Sequence, residues 1–392
     1  MKSSVNMQNF SIYIHIPFCE VKCGYCDFFS VPKGFEDFNL QKQYVDELIR
    51  EIKTRSESFR GKKVHTLFFG GGTPSLLDKA LLKNIFDTLK DYFVWSPDTE
   101  ISLEANPKTV SKEKLQSIRE LGVNRLSMGV QSFEDRFLKV LGRIHSGDEA
   151  RQTIHDAYAA GFEKVNFDMI MALPGQTFAD WQRDLETALS FSPQHLSAYH
   201  LTIESGTAFE GLYKKGKLIL PSEEDGVQCL TWTRERLSAA GLPPYEISNF
   251  AKPGFECRHN QNYWEYGEYL GFGAGAASFL KTNGENKKVF ATRQTNVRDL
   301  KKYVAGEWVG FSEEITHEMG MGEYCMLALR TREGVDALRF NSIFGRNFAQ
   351  TYEKYLKKYL NQNFLIQNDH HFTLSEQGIL YADMIISDFI YF

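Results

Sequence analysis

The sequence predicts an α/β fold: a partial (β/α)6 barrel followed by a smaller C-terminal α+β domain of winged-helix-like order. Two observations lead there. From residue 11 to about 205, β-rich runs alternate with segments whose apolar residues recur at helical spacing, the signature of repeated βα units around a parallel sheet. The last stretch of the chain, from residue 313 on, abandons that rhythm.

Six strands are expected, at residues 11–17, 64–71, 100–106, 125–131, 164–173 and 195–203, with helical periodicity between them at 38–54, 76–92 and 178–189. Each unit takes about 30–40 residues, which suits right-handed crossovers. Six units rather than eight imply an incomplete barrel whose open side admits a bulky substrate, although an open doubly wound sheet has the same periodicity. A helix at 223–240, the stretch 244–248 and the glycine-rich run 271–275 are assigned to a barrel extension. The first domain is therefore expected over 1–290 and the second over 291–392. The second carries helix patterns at 315–330 and 347–360, short strands around Phe364 and Phe372, and a helix capped by Ser375. That order raises the question of DNA binding. From Glu313 onward, however, 7 Lys/Arg stand against 11 Asp/Glu, the wrong sign for a surface that tracks phosphates, so docking to protein or lid duty is expected instead.

Composition agrees with two soluble domains. At 392 residues and 42% hydrophobic content the chain can bury one large core and a second small one. A net charge of -5 from interspersed acids and bases offers no field for nucleic acid or anionic lipid. The first ten residues hold one lysine and no apolar stretch, and no uncharged run approaches the roughly 18 residues of a membrane span. A cytoplasmic protein without an integral membrane segment is expected. Six cysteines, three of them within eight residues, suit a metal centre better than a disulfide framework.

Those three, Cys19, Cys23 and Cys26, follow the first strand directly and so fall at its C-terminal end, where βα barrels place chemistry. Three thiolates leave one iron of a four-iron cluster open to another ligand. A structural zinc with His15 or a distant thiol as fourth ligand is the alternative, and the spacing of three then two residues favours the cluster. Cys229, Cys257 and Cys325 stand alone and are expected to be packed as small hydrophobic residues.

Further motifs follow in order: Gly70-Gly-Gly-Thr-Pro-Ser75, Glu104-Ala-Asn-Pro107, Gly129-Val-Gln-Ser-Phe133, Leu141-Gly-Arg-Ile-His145, and Asp168 ahead of Leu173-Pro-Gly-Gln-Thr177. Glycines at 70–72 let a small ligand approach the backbone, and without a following Gly-Lys-Ser/Thr they are no P-loop. Arg143 suits a bidentate grip on a carboxylate, while Glu104, Gln131 and Asp168 can hydrogen-bond ribose hydroxyls or other polar groups. The run Gly271-Phe-Gly-Ala-Gly275 lacks the context of a dinucleotide fingerprint and is expected to serve close backbone packing.

With the cysteine loop behind Tyr13-Ile-His-Ile-Pro17, this set resembles the radical S-adenosylmethionine superfamily, and within it the branch of coproporphyrinogen oxidases and heme chaperones. The resemblance covers nearly the whole chain. It implies a [4Fe-4S] cluster on Cys19, Cys23 and Cys26. It also implies S-adenosylmethionine (SAM) held by Tyr13, Tyr25, Gly71, Gly72, Thr73, Glu104, Gln131, Arg143 and Asp168. Oxidases of the branch carry a fourth cysteine two residues after the third and an extension ahead of the first strand. Here position 28 is Phe28, and only about ten residues precede the strand, which puts coproporphyrinogen decarboxylation in doubt.

The chaperones are matched through Cys26-Asp-Phe28, Leu201-Thr-Ile-Glu204, Tyr245-Glu-Ile-Ser-Asn-Phe250 and His259-Asn-Gln-Asn-Tyr-Trp264. By this resemblance the last segment contacts heme: His259 can ligate iron, and Tyr263 and Trp264 offer flat faces to a porphyrin. Ala277 departs from relatives that often carry histidine there. Two functions of different class are implied. One is a chaperone that passes heme to respiratory hemoproteins, and the other is an oxygen-independent coproporphyrinogen III oxidase. Radical chemistry would call for an electron donor such as flavodoxin or ferredoxin. The missing fourth cysteine favours the chaperone.

Overall fold

The computed structural model describes residues 10–390 except 33, 35 and 283–287. The stretch ahead of Phe10, on which the expectation about export partly rests, lies outside the described residues.

The first strand, β1 (Phe10–Ile16), shows how this sequence writes a barrel. Its odd and even positions face opposite ways. Phe10, Ile12, Ile14 and Ile16 are at most 1% exposed and share a core with Tyr44, Val45, Leu48 and Ile52 of helix α1 (Phe38–Ser56). Each such side chain contributes about 1.5–3 kcal/mol by leaving water. Ser11, Tyr13 and His15 take the other face, where polar and aromatic groups line the barrel interior.

Five further strands repeat the unit: β2 (Thr66–Gly71), β3 (Glu100–Ala105), β4 (Arg125–Gln131), β5 (Lys164–Met171) and β6 (His195–His200). All are parallel neighbours in that order, and each of the six begins within two residues of its expected start. The helices between them are α2 (Lys79–Tyr92), α3 (Lys112–Glu120), α4 (Asp135–Leu141), α5 (Gly147–Ala159) and α6 (Phe178–Ser190). Caps set their starts: Asp78 accepts from Ala80 N, so α2 begins later than the periodicity at 76 suggests, and Thr177 with Asp180 forms a capping box on α6. Strand β5 stops short of 173 because Ala172 turns the chain with a φ of 59°.

The barrel extension builds outward from both edges. A short strand β7 (Asn249–Ala251) runs antiparallel to β6. On the other side β8 (Glu268–Phe272) is a seventh parallel strand, with Gly271 directly opposite Tyr13 of β1. Three antiparallel strands continue from it: β9 (Ala277–Lys281), β10 (Val289–Asn296) and β11 (Val309–Thr316). Among the described residues the sheet thus has eleven strands, ordered β11-β10-β9-β8-β1-β2-β3-β4-β5-β6-β7. Its end strands β11 and β7 do not pair. Residue 290, where the sequence reading divides the chain, lies within β10.

A buried carboxylate locks the glycine-rich run. Glu51 on α1 accepts from Gly273 N (2.9 Å), the Tyr303 hydroxyl (2.6 Å), Asn296 Nδ2 (2.7 Å) and Arg55 Nη1 (2.6 Å). Gly273 has φ of 101°, and a Cβ there would lie 2.6 Å from the His15 carbonyl oxygen and from the Tyr44 hydroxyl. Close packing is therefore the reason for this glycine.

A second core joins Tyr266, Phe279 and Phe290 from the extension to Met321, Tyr324, Phe340, Tyr352 and Phe389 of the C-terminal segment. That segment contains helices His317–Ala328, Ala337–Phe344, Glu353–Asn361 and Ala382–Ile390. Its three-stranded antiparallel sheet comprises β12 (Val335–Asp336), β13 (Leu365–Asn368) and β14 (His371–Leu374), with β14 central. Ser375 caps the helix after it through Gly378 N. Among the described residues, no helix is long and apolar enough to cross a membrane.

Candidate cluster and cofactor site

The cysteine loop is clamped at its base and tied on both flanks. Phe18–Cys19 pairs with Val31–Pro32, and Val31 N donates to the Pro17 carbonyl at 2.7 Å. In the middle, Gly24 N donates to Leu141 O (3.2 Å) while its own carbonyl accepts from Phe209 N (2.9 Å). A Cβ on Gly24 would lie 2.6 Å from the Phe209 ring. The turn closes with Cys26 N donating to Cys23 O at 3.2 Å.

The three thiols, each part-exposed, open onto a cavity of about 400 Å³. Tyr25, Gly71, Gly72, Thr73, Glu104, Gln131, Arg143 and Asp168 line the same cavity. Burial raises the Cys26 thiol to about 11 and pushes Cys19 up as well. Both therefore need adjacent positive charge to act as thiolates. Among the described residues, the only His/Cys/Asp/Glu trio with ligand atoms mutually within 4.8 Å lies in the C-terminal segment, so the three sulfurs are spread more widely than that. A tetrahedral zinc with Zn–S bonds of about 2.3 Å would draw sulfurs to within about 4 Å of each other. His15 is engaged elsewhere, with Nε2 at 2.8 Å from the Phe29 carbonyl and Nδ1 at 3.1 Å from the Tyr13 hydroxyl. The donor set fits a polynuclear cluster, whose corner irons hold thiolates further apart.

Arg143 is built into a polar chain across the cavity floor. Its Nη1 donates to Cys23 Sγ at 3.6 Å, and its Nη2 donates to Asn106 Oδ1 (2.6 Å) and the Gly129 carbonyl (2.7 Å). Asn106 Nδ2 in turn donates to Thr73 Oγ1 (2.8 Å), which lies 3.5 Å from Cys19 Sγ. The Arg143 Nε is buried and has no hydrogen-bond partner among the described residues. An orphaned guanidinium N–H beside the thiols fits an anionic ligand group. Gly129 must lack a Cβ, which would come within 2.7 Å of Asn106 Oδ1 and 3.2 Å of Arg143 Nη2.

Glu104 and Asp168 supply the acidic wall. Glu104 Oε2 accepts from Gly71 N at 3.0 Å, and burial, reinforced by repulsion from Asp168, raises its carboxyl to about 8. It therefore holds a proton near neutrality and can donate as well as accept. Asp168, also raised by burial, accepts from Ser127 Oγ (3.0 Å) and Asn166 Nδ2 (2.9 Å). Gln131 has φ of 67° at a register shift between β4 and β5. Such strain costs about 1–3 kcal/mol. Asp184 holds it in place by accepting from Ser132 Oγ (2.6 Å) and Phe133 N (2.8 Å).

Gly71 and Gly72 are demanded by the fold as well. Gly71 has φ of 112°, and its Cβ would strike the His15 ring at 2.3 Å, while one on Gly72 would meet the Phe18 carbonyl oxygen at 2.7 Å.

Tyr13 borders the other residues assigned to SAM, since a Cβ on Gly70 would lie 3.1 Å from its ring and 3.2 Å from Glu104 Oε2. The Tyr13 ring stacks on Phe68 (centroids 6.2 Å apart) and lines a second cavity of about 370 Å³. Tyr263, Tyr266, Tyr269, Phe279, Met326 and Leu327 also line it, and among the described residues none lines both cavities. Its polar end is Arg293, which donates to Glu313 (2.7 Å) and Glu323 (2.6 Å). His259, on helix Arg258–Trp264, is 1% exposed with both ring nitrogens engaged. Nδ1 lies 2.7 Å from Thr66 Oγ1 and Nε2 lies 2.9 Å from the Tyr263 hydroxyl. Phe28 stands at the rim of the first cavity, 63% exposed. Cys229, Cys257 and Cys325 are buried, as expected.

Of the cavity residues, Ser127 and Tyr199 stand outside every motif the sequence singles out, and Asn106, Gly129 and Glu204 stand within such motifs without an assigned role. Period two along the strands would have found some of them. Asn106 is two residues beyond Glu104, and Gly129 lies two either way from Ser127 and Gln131.

Comparison with known proteins places this geometry. The radical SAM superfamily profile matches residues 13–188, and the HemN C-terminal domain profile matches 315–381. The heme chaperone HemW of Bacillus subtilis (strain 168) is 35% identical over 390 residues, spanning 97% of this chain and 99% of its own. That of Escherichia coli (strain K12) is 32% identical over 386 residues, spanning 98% and 99%. Among solved structures, coproporphyrinogen III oxidase (HemN) from Escherichia coli, a radical SAM enzyme, superposes with a TM-score of 0.82 at 24% identity, covering 98% of this chain and 90% of its own. At that identity it speaks to the fold alone.

Proposed function

We propose a function from one premise: this chain belongs to the radical SAM superfamily and, within it, to the family of heme chaperones HemW. It binds a [4Fe-4S] cluster on Cys19, Cys23 and Cys26, binds SAM in the cavity beside them, carries heme, and hands it to respiratory hemoproteins in the cytoplasm. Superfamily membership implies the cluster and SAM. When bound, the cluster supplies an electron and an open iron. Toward SAM, Arg143 offers its Nε–H, Glu104 and Asp168 offer oxygens, and Asn106 orients the guanidinium.

The observation that carries the heme reading is the separation of the two cavities. A flat, largely apolar ligand fits the aromatic cavity of Tyr263, Tyr269 and Phe279, whose polar end is the Arg293–Glu323 pair. Among the described residues, that cavity shares no lining residue with the one beside the thiols. An oxidase needs its porphyrinogen against the bound SAM, whereas a carrier does not.

The test is a heme titration of anaerobically reconstituted protein, with and without its cluster, alongside an assay with coproporphyrinogen III. Retained heme without porphyrinogen turnover is expected. Conversion of coproporphyrinogen III to protoporphyrinogen IX would overturn the carrier reading.

A further inference from the structure

Away from both cavities, Asp336, His370 and His371 bring one carboxylate oxygen and two imidazole nitrogens within 4.8 Å of one another. The backbone fixes all three. Asp336 on β12 is the direct antiparallel partner of His371 on β14, and Ala337 N donates to the His370 carbonyl at 2.9 Å in the turn joining β13 to β14. Asp336 also caps helix Ala337–Phe344, with Oδ1 accepting from Leu338 N (2.8 Å) and Arg339 N (3.1 Å).

The side chains carry the marks of a ligand set. His371 Nδ1 lies 3.0 Å from the Glu333 carbonyl. A carbonyl only accepts, so Nδ1 bears the proton and Nε2 is left with the lone pair. This outer hydrogen bond is what orients metal-binding imidazoles. The two histidine rings sit with centroids 4.5 Å apart. His370 Nε2 is 3.8 Å from Asp336 Oδ1, too long for a hydrogen bond. It is close to the roughly 3.4 Å that two ligands about 2.1 Å from a tetrahedral ion keep between them.

From this geometry we propose that Asp336, His370 and His371 form a binding site for a divalent transition-metal ion of the zinc type. Two imidazoles and a carboxylate select such an ion over magnesium or calcium, which take all-oxygen sets. Part exposure of the three side chains leaves the remaining positions to water. The helix N-terminus opposes a cation, and the Asp336 charge offsets it. A bound ion ties the β13–β14 turn to β12 and to the helix that follows, stiffening the C-terminal domain.

The test uses the full chain with its iron-sulfur cluster reconstituted anaerobically, so that the three N-terminal thiols are occupied. It is dialysed against Zn²⁺ and, separately, Mg²⁺. One zinc per chain beyond the cluster iron is expected, with no magnesium, and zinc raises the thermal midpoint. The double variant His370→Ala/His371→Ala lowers zinc affinity at least about ten-fold. Asp336→Asn, which keeps the helix cap, does the same while iron content and the zinc-free midpoint stay unchanged. As a readout independent of the cluster, the chain with Cys19, Cys23 and Cys26 all changed to serine binds the same single zinc. No zinc beyond the cluster in the wild-type chain, or equal affinity in the variants, overturns the site.

Discussion

His259 holds its Nε2 2.9 Å from the hydroxyl of Tyr263, one helical turn further on, so the nitrogen that a heme iron would need is already taken. Thr66 donates its hydroxyl to Ser11 Oγ at 2.8 Å and therefore accepts from His259 Nδ1. The lone pair is thus on Nε2, facing Tyr263. If His259 ligates heme, Tyr263→Phe frees that lone pair and raises heme affinity several-fold, while costing about 1 kcal/mol of stability. His259→Ala removes heme ligation and costs about 2–4 kcal/mol through a buried cavity and an orphaned hydroxyl. Soret titrations and urea melts on both variants check this. Weaker heme binding in Tyr263→Phe, in step with lost stability, counts against ligation by His259.

Arg143 owes its orientation to Asn106 and the Gly129 carbonyl, which fix Nη2 and leave Nε to a ligand. Lysine keeps the charge but loses the planar fork. Arg143→Lys is expected to lower SAM affinity about ten-fold or more with iron content unchanged, as read by equilibrium dialysis of labelled SAM. Undiminished affinity would reduce the arginine to a structural role.

Gly72 lies against the chain that leads into Cys19. A Cβ there would be 2.7–2.8 Å from backbone atoms of Pro17 and Phe18, which cannot swing aside as a side chain could. Gly72→Ala is expected to cost about 1–3 kcal/mol and, by displacing Phe18, to lower the iron retained after reconstitution. Iron assays and thermal melts report both, and full iron retention contradicts the expectation.

Acid should weaken the fold before any carboxylate pairing is lost. Burial lowers His15 and His145 to about 4 and His259 to about 3, against about 6.5 in an unfolded chain. Between about pH 6.5 and 4 the unfolded state binds protons that these sites refuse, so their contribution is whole above 6.5 and drains away as pH falls. The ceiling is about 1.4 kcal/mol per pH unit for each group. Glu104 and Asp184, raised by burial to about 8 and about 6, work the other way, as do Asp168 and Glu246, while His65 and His195, lowered by burial, side with the first three, so five histidines stand against four acids. Urea midpoints at pH 7.5, 6 and 5 should fall in that order, and a flat series refutes the assignment.

The sequence by itself determined the barrel and the thiol loop. Strand positions were legible because Phe10, Ile12, Ile14 and Ile16 must leave water together, and this alternation is a local property of the chain. Cys19, Cys23 and Cys26 were legible because ligands on one loop need only short spacing. Tertiary structure alone decided which polar residues share a cavity. Asn106 matters because β2, β3 and β4 run parallel and bring Thr73, Asn106 and Arg143 into hydrogen-bonding distance from three separate units. It also decided that the Tyr13 ring packs against Phe68 and near His259. The strand β8, which pairs with β1 across more than 250 residues of chain, could not be read at all. Its partner is set by sheet geometry, and no local pattern records a neighbour so distant in sequence.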